Sequence, residues 1–224
     1  MALRKEEIAR KLLHLFALTM PAGLFFIPRM NLPESLLPAY LAVIILAIVL
    51  LGSIIIESLR FRVPAIQNLF FKMFGSMLRE EESKKTTGST YVIGAALLCG
   101  LIFKNYQYIS FMVLSLFILG DAVAAIVGLS MGRIKIGKKS LEGSLACFTL
   151  CMILFYAVFP YVPGLLQDWN GKVPLVIALL TSLSVTVFEL IPLRVTSKLT
   201  INDNLAVPVI AGFVMLGLSK ALGY

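Results

Sequence analysis

Seven apolar stretches divide this chain, at about residues 12–28, 37–57, 89–103, 108–128, 144–162, 173–191 and 203–221. A hydrocarbon core about 30 Å thick needs roughly 20 apolar residues in a helix that rises about 1.5 Å per residue, and each stretch comes near that length. Backbone N–H and C=O groups find no water at that depth, so the stretches are expected to be helices. With 59% of residues hydrophobic and 14% charged, a water-soluble globular class is excluded. The expectation is an all-α polytopic membrane protein of about seven transmembrane helices, with residues 1–224 forming one domain. The third stretch is short and carries Gly94 and Gly100, which suits close packing inside a bundle. The charged start and following apolar run are like a signal peptide. Glu6, Glu7, Pro21 and Pro28, with no small-residue cleavage pattern, instead predict a retained first helix. Cys99, Cys147 and Cys151 lie in apolar runs without metal-ligand spacing and read as small core residues.

Charge orients the bundle. Only Arg29, Lys104, Lys172 and Lys220 of the 20 Lys and Arg residues fall in the loops of the second side. The rest share the side of the N-terminus, which the positive-inside rule makes cytoplasmic. The +8 net charge is then an orientation signal with an attraction to anionic headgroups, and no nucleic-acid partner is expected. A bacterial or archaeal source would place the protein in the cytoplasmic membrane. Ile66, Leu69, Phe70, Met73 and Met77 recur at spacings of three and four, opposite Gln67, Asn68, Lys72 and Ser76. This predicts an amphipathic helix at about 62–79, lying in the cytoplasmic headgroup plane. The loops of the outer side are short and hold aromatic residues (Tyr106, Tyr108, Tyr161, Trp169) typical of an interface belt.

The chemistry concentrates on the inner side. Asp121 stands inside the fourth apolar stretch, where a carboxylate costs about 3 kcal/mol and calls for a partner or a wet site. Directly behind it, residues 132–144 supply three glycines, four basic residues, Ser140 and Glu142, the groups a polyphosphate and its metal would need. Glu57, Glu189 and Asp203 arrive at the same side on other helices. Four converging acids plus Glu142 point to one or two Mg²⁺ ions held by carboxylate and phosphate oxygens. Glu57 lies three residues before Arg60 and can pair with it, as an interfacial ion pair or as part of the site. His14, the single histidine, sits at the inner end of the first stretch, where packing and catalysis are both open. Gly132 to Lys138 fits GxxxxGK, but Lys139 follows and a membrane helix precedes it, so a P-loop fold is rejected.

Taken together, Gly120-Asp121 to Gly128, Gly132, Lys139-Ser140-Leu141-Glu142-Gly143-Ser144, Glu189 and Asp203-Asn204 to Pro208 resemble the dolichol kinase, phytol kinase and CTP-dependent diacylglycerol kinase family. Arg10-Lys11 with His14, Glu57 with Arg60, and Thr87-Gly88 extend the resemblance over most of the chain. The family is related to phosphatidate cytidylyltransferases, whose longer C-terminal signature is absent here. The resemblance implies Mg²⁺-dependent transfer of the terminal phosphate of CTP to a lipid alcohol (a polyprenol, a phytol-like alcohol or a diacylglycerol) on the cytoplasmic face. Its parts would be Asp121 and Asp203 as metal ligands, helped by Glu142 or Glu189. Gly132, Lys138, Lys139, Ser140, the Gly143 amide, Ser144 and Arg60 would hold phosphates, with Glu57, Gly88 and Asn204 accompanying them. The base stays open among Asp121, Glu189 and His14. The expected partners are CTP, the lipid alcohol and membrane lipids, and a homodimer is compatible. Nucleotidyl transfer to a phospholipid is the runner-up, and a small-solute transporter is third. A carrier places its charges near the midplane and often shows internal repeats, whereas here the acids gather toward one face.

Overall fold

The structure, a computed structural model, describes residues 14–75, 78, 80–191, 193 and 201–224. Eight α-helices form it among those residues: α1 (Thr19–Phe26), α2 (Pro38–Arg60), α3 (Pro64–Phe74), α4 (Gly88–Ile102), α5 (Gln107–Ser130), α6 (Leu141–Ile153), α7 (Leu175–Leu190) and α8 (Asp203–Ala221). Between α5 and α6 a two-stranded antiparallel hairpin interrupts the helices, with β1 (Lys135–Ile136) facing β2 (Lys139–Ser140). The all-α expectation holds, and every apolar stretch carries a helix near its predicted place.

The lengths differ from seven equal spans. Four segments are long and apolar enough to cross a membrane: Glu34–Arg60, Gln107–Ser130, Leu141–Tyr161 and Asp203–Ala221. Gly88–Ile102 and Leu175–Leu190 are apolar but shorter. A 15-residue helix is about 22 Å long, below the hydrocarbon thickness, so α4 does not bridge it alone. Proline and capping residues set several boundaries. Pro38 and Pro64 open α2 and α3 at the first turn, where a missing N–H costs nothing. Ser140 caps α6 by accepting from the Gly143 amide, and Asn202 caps α8 by accepting from the Asn204 amide. The C-terminal end of α6 unwinds into a π-turn over Leu154–Val158 and a 3₁₀ turn over Phe159–Tyr161, which contains Pro160.

Helix α5 is the centre. Its residues Ile109, Met112, Val113, Leu114, Leu116, Phe117 and Ile118 are fully buried, and it packs against α1, α6 and α8. Helix α2 is the opposite case, with Ile44, Ile48, Leu51 and Ile55 exposed along it, as on a helix that faces lipid. Of the amphipathic stretch expected at 62–79, α3 is seen, with Leu69, Met73 and Phe74 exposed. Residues 76, 77 and 79 lie outside the described residues, as do Arg10, Lys11, Arg194 and Lys198.

Candidate active site

Five elements deliver charged groups to one end of the bundle. Lys139, from β2, extends its ammonium between two carboxylates, 2.8 Å from Glu189 Oε1 at the end of α7 and 2.9 Å from Asp203 Oδ2 at the start of α8. The same ammonium donates to the Glu189 carbonyl. On the neighbouring side, His14 Nε2 stands 3.5 Å from Asp121 Oδ2. Glu189 is buried, and its Oε2 has no hydrogen-bond partner among the described residues. A buried polar atom of this kind is costly, and functional sites are where such atoms collect. Burial alone would lower the Lys139 pKa, but the carboxylates of Glu189 and Asp203 outweigh it and hold the ammonium above its ordinary value.

The loop after Asp121 is shaped by close packing. Gly137 has φ +61° at the first of the two residues linking β1 and β2, where a tight hairpin turn favours glycine. A Cβ on Gly143 would stand 2.5 Å from the Ala124 carbonyl oxygen, and one on Gly132 would meet the Gly128 carbonyl. These glycines let the hairpin and α6 lie directly on the end of α5, with Ser140 buried between them. Ser144 Oγ donates to the Ser140 carbonyl at 3.1 Å. The Gly143 amide, expected on a phosphate, instead donates to Ser140 Oγ at 3.1 Å as the helix cap. Glu142, expected to help hold the metal, stands at the base of the hairpin. Its carboxylate accepts from the Arg133 and Ile134 amides at 3.0 and 3.1 Å, which fixes the base of the hairpin. Lys138 is exposed at the hairpin turn.

A second cluster lies beside the first. Arg60 Nε donates to Glu57 Oε2 at 2.6 Å, and its Nη2 donates to the carbonyls of Glu82 and Lys85. Glu57 Oε1 accepts from the amide and hydroxyl of Thr87 at 3.0 and 2.7 Å. The guanidinium also lies over the rings of Phe61 and Phe70. Arg60, expected on phosphate, is 1% exposed, and its Nε and Nη2 are taken up by Glu57 and by the loop that leads into α4. The Gly88 amide donates to Glu82 Oε1, and Asn204 Nδ2 donates to the Gly88 carbonyl at 3.1 Å. Asn204 thereby ties this cluster to Asp203. Glu82 was missed by sequence reasoning, and its only signal is an acid a few residues ahead of the glycine that starts α4.

Among the described residues, no three His, Cys, Asp or Glu groups stand close enough to form a ready metal cage. The donors still suit Mg²⁺, which takes hard oxygens and is commonly held by one or two carboxylates plus substrate phosphates. The unpartnered Glu189 Oε2 and the surplus of carboxylates over Lys139 leave room for a further cation.

With this geometry in view, the chain compares with known proteins as follows. No family model matches it, and no solved structure matches it. It is 26% identical over 206 residues to an uncharacterised protein of Rickettsia prowazekii, covering 90% of this chain and 89% of that one. It is 28% identical over 156 residues to a probable chloroplastic phytol kinase 2 of Glycine max, covering 65% of this chain and 50% of the plant protein. It is 26% identical over 166 residues to CTP-dependent diacylglycerol kinase 1 of Schizosaccharomyces pombe, covering 71% of this chain and 72% of the yeast protein. The chain is a relative of lipid kinases. The chain thus spans about half the length of the plant relative and nearly three quarters of the yeast one.

Proposed function

We propose that the protein is a membrane-embedded lipid kinase that moves the terminal phosphate of CTP to the hydroxyl of a polyprenol, a phytol-like alcohol or a diacylglycerol at the cytoplasmic face. The observation that carries this reading is the bridge from Lys139 to Glu189 and Asp203, with Glu189 Oε2 open and the His14–Asp121 pair alongside. Phosphoryl transfer asks for positioning, charge stabilisation and a base, and these three groups of residues divide that work. The basic hairpin, with Arg133, Lys135 and Lys138, stands at the same end, which supports a cytoplasmic site under the positive-inside rule.

In this reading Lys139 lets go of part of its carboxylate contact and meets the phosphates of the nucleotide as a point charge. Asp203, Glu189 and Asp121 would hold Mg²⁺, which when bound supplies positive charge to the phosphate oxygens. Asp121 orients His14, whose imidazole accepts the proton of the lipid hydroxyl as its oxygen bonds to the terminal phosphorus. The bond between that phosphorus and the bridging oxygen breaks, and CDP leaves.

The test is transfer of label from CTP carrying a radioactive terminal phosphate, using the full chain in phosphatidylcholine vesicles with each alcohol in turn. A labelled lipid phosphate and stoichiometric CDP are expected. Release of pyrophosphate would mean nucleotidyl transfer, and no labelled lipid with any alcohol would remove the kinase reading.

A further inference from the structure

A run of exposed apolar side chains leads to the site and is used by neither the fold nor the chemistry above. Leu129 is 53% exposed, Met131 68%, Ile134 56% and Ile136 39%. The run begins where α5 shows Ile126 and Leu129 on its last turns, the flank of a helix long enough to cross the membrane.

The hairpin register says where it leads. Ile136 pairs with Lys139, and Lys135 pairs with Ser140. Directly paired side chains project on the same face of a two-stranded ladder. One face carries Ser140, buried against Gly128 and Gly132, and Lys135, whose Nζ donates to the Gly128 carbonyl at 3.1 Å. That face packs on α5. The other face carries Ile136 and Lys139, and Lys139 reaches Glu189 and Asp203. Ile134, two residues before Ile136, shares that side by strand alternation. The face turned toward the carboxylates therefore bears one cation and two uncovered isoleucines. Glu142 holds the Arg133 and Ile134 amides, so the ridge is part of a fixed hairpin.

We infer that Leu129, Met131, Ile134 and Ile136 form the track that holds the hydrocarbon chain of the acceptor lipid while its hydroxyl reaches the site. The inference rests on the lipid-kinase reading. Two observations select a hydrocarbon over the nucleotide base. The ridge adjoins the exposed flank of α6, where Leu141, whose amide donates to the Ile134 carbonyl, and Leu145 one turn on belong to a segment long enough to cross a membrane, so a chain can follow it from the bilayer. Its side chains also carry no hydrogen-bond donor and no acceptor beyond the weak thioether of Met131, so they are a poor match for the polar edge of cytosine. Each buried methylene is worth about 0.8 kcal/mol, so a ridge of this kind favours long chains over short ones.

The experiment has two arms on the full chain in phosphatidylcholine vesicles. In the first, a diacylglycerol bearing a diazirine near its glycerol end is photolysed without CTP, and the labelled peptides are identified. Labelling of the segment 129–136 is expected, suppressed by unlabelled diacylglycerol. Labelling confined to the exposed face of α2 would overturn the track, and this arm does not depend on turnover. In the second, Ile134→Ser with Ile136→Ser is compared with Ile136→Val on acceptor alcohols of graded length. The double serine variant should raise KM for long-chain acceptors about five- to tenfold, with KM for CTP unchanged and Val restoring it. An equal effect on short and long acceptors, or a rise in KM for CTP instead, would overturn the inference. Loss of turnover on every alcohol in the unmodified protein would instead count against the kinase reading, leaving the labelling result to stand or fall by itself.

Discussion

Two pairs of opposite charge occupy the same end of this bundle, and they are finished differently. Glu57 and Arg60 are 5% and 1% exposed, and both Glu57 oxygens accept hydrogen bonds. Arg60 leaves only Nη1 without a hydrogen bond among the described residues, and the ring faces of Phe61 and Phe70 stand beside its guanidinium. Lys139 keeps 29% of its side chain exposed, and the buried Oε2 of its partner Glu189 has no hydrogen-bond partner among the described residues. A buried pair whose acid fills both oxygens holds shape, and a pair that sets a flexible, part-exposed cation beside an acid with one unfilled oxygen can exchange partners for a ligand. Both pairs join a cation to a buried glutamate, so the difference lies in the cation and in what surrounds the charges.

The largest effect that separates the two clusters is expected at the open one. Asp203→Asn and Asp121→Asn keep shape but remove charge, and each should lower turnover by about a hundred- to a thousandfold with the protein still folded in detergent. Label transfer from CTP and a thermal unfolding scan measured on the same preparation check this. Near-normal turnover at limiting Mg²⁺ in either variant would make that residue structural. The closed cluster should show the reverse pattern. Glu57→Ala leaves the Arg60 charge buried without its partner, which costs about 3–5 kcal/mol, and should appear as a lowered melting temperature. An unchanged melting temperature together with lost turnover would move Glu57 into the site and dissolve the contrast.

The sequence made part of this arrangement legible. Glu189 lies in an apolar run and Asp203 opens the last one, and the direction of the helices brought them to one side, so their meeting was open to reasoning from hydropathy and charge. Lys139 was set apart from Lys135 only by its place in the basic loop and by the resemblance. Their difference comes from the hairpin register, which turns Lys139 toward Glu189 and Asp203 and Lys135 toward the end of α5. Two-residue strands are too short to leave a periodic signal. Arg60 had a visible partner at Glu57, but its carbonyl partners at Glu82 and Lys85 are more than twenty residues away. The helix lengths were blurred for a similar reason: hydropathy marks apolar stretches, and caps such as Thr87-Gly88 mark where α4 begins.

A smaller effect tests that register directly. Lys139→Ala should raise the KM for CTP about tenfold or more, as expected for loss of a charge-assisted contact, and Lys139→Arg should restore it only in part because the planar fork replaces a point charge. Lys135→Ala removes one bond to the Gly128 carbonyl and should change the same KM by about twofold or less. Kinetics with CTP varied at fixed lipid decide, and equal effects at both lysines would mean the hairpin faces are not distinguished by the nucleotide.

The smallest expected effect is a pH dependence, and its sign follows from the Lys139 pKa. Burial pulls that pKa down, while Glu189 and Asp203 push it up by more, so the folded value lies above the ordinary 10.5. A lysine whose pKa is raised on folding adds stability that is complete below the unfolded value and is lost only as pH rises through the folded one. The difference in melting temperature between the unmodified protein and Lys139→Met should therefore be flat from pH 7 to about 9.5 and shrink only in stronger alkali. Parallel scans in detergent across that range measure it. A difference that shrinks between pH 7 and 9 would mean that the two carboxylates do not hold the ammonium, and the open cluster would then be an arrangement of neighbours with no bridge between α7 and α8.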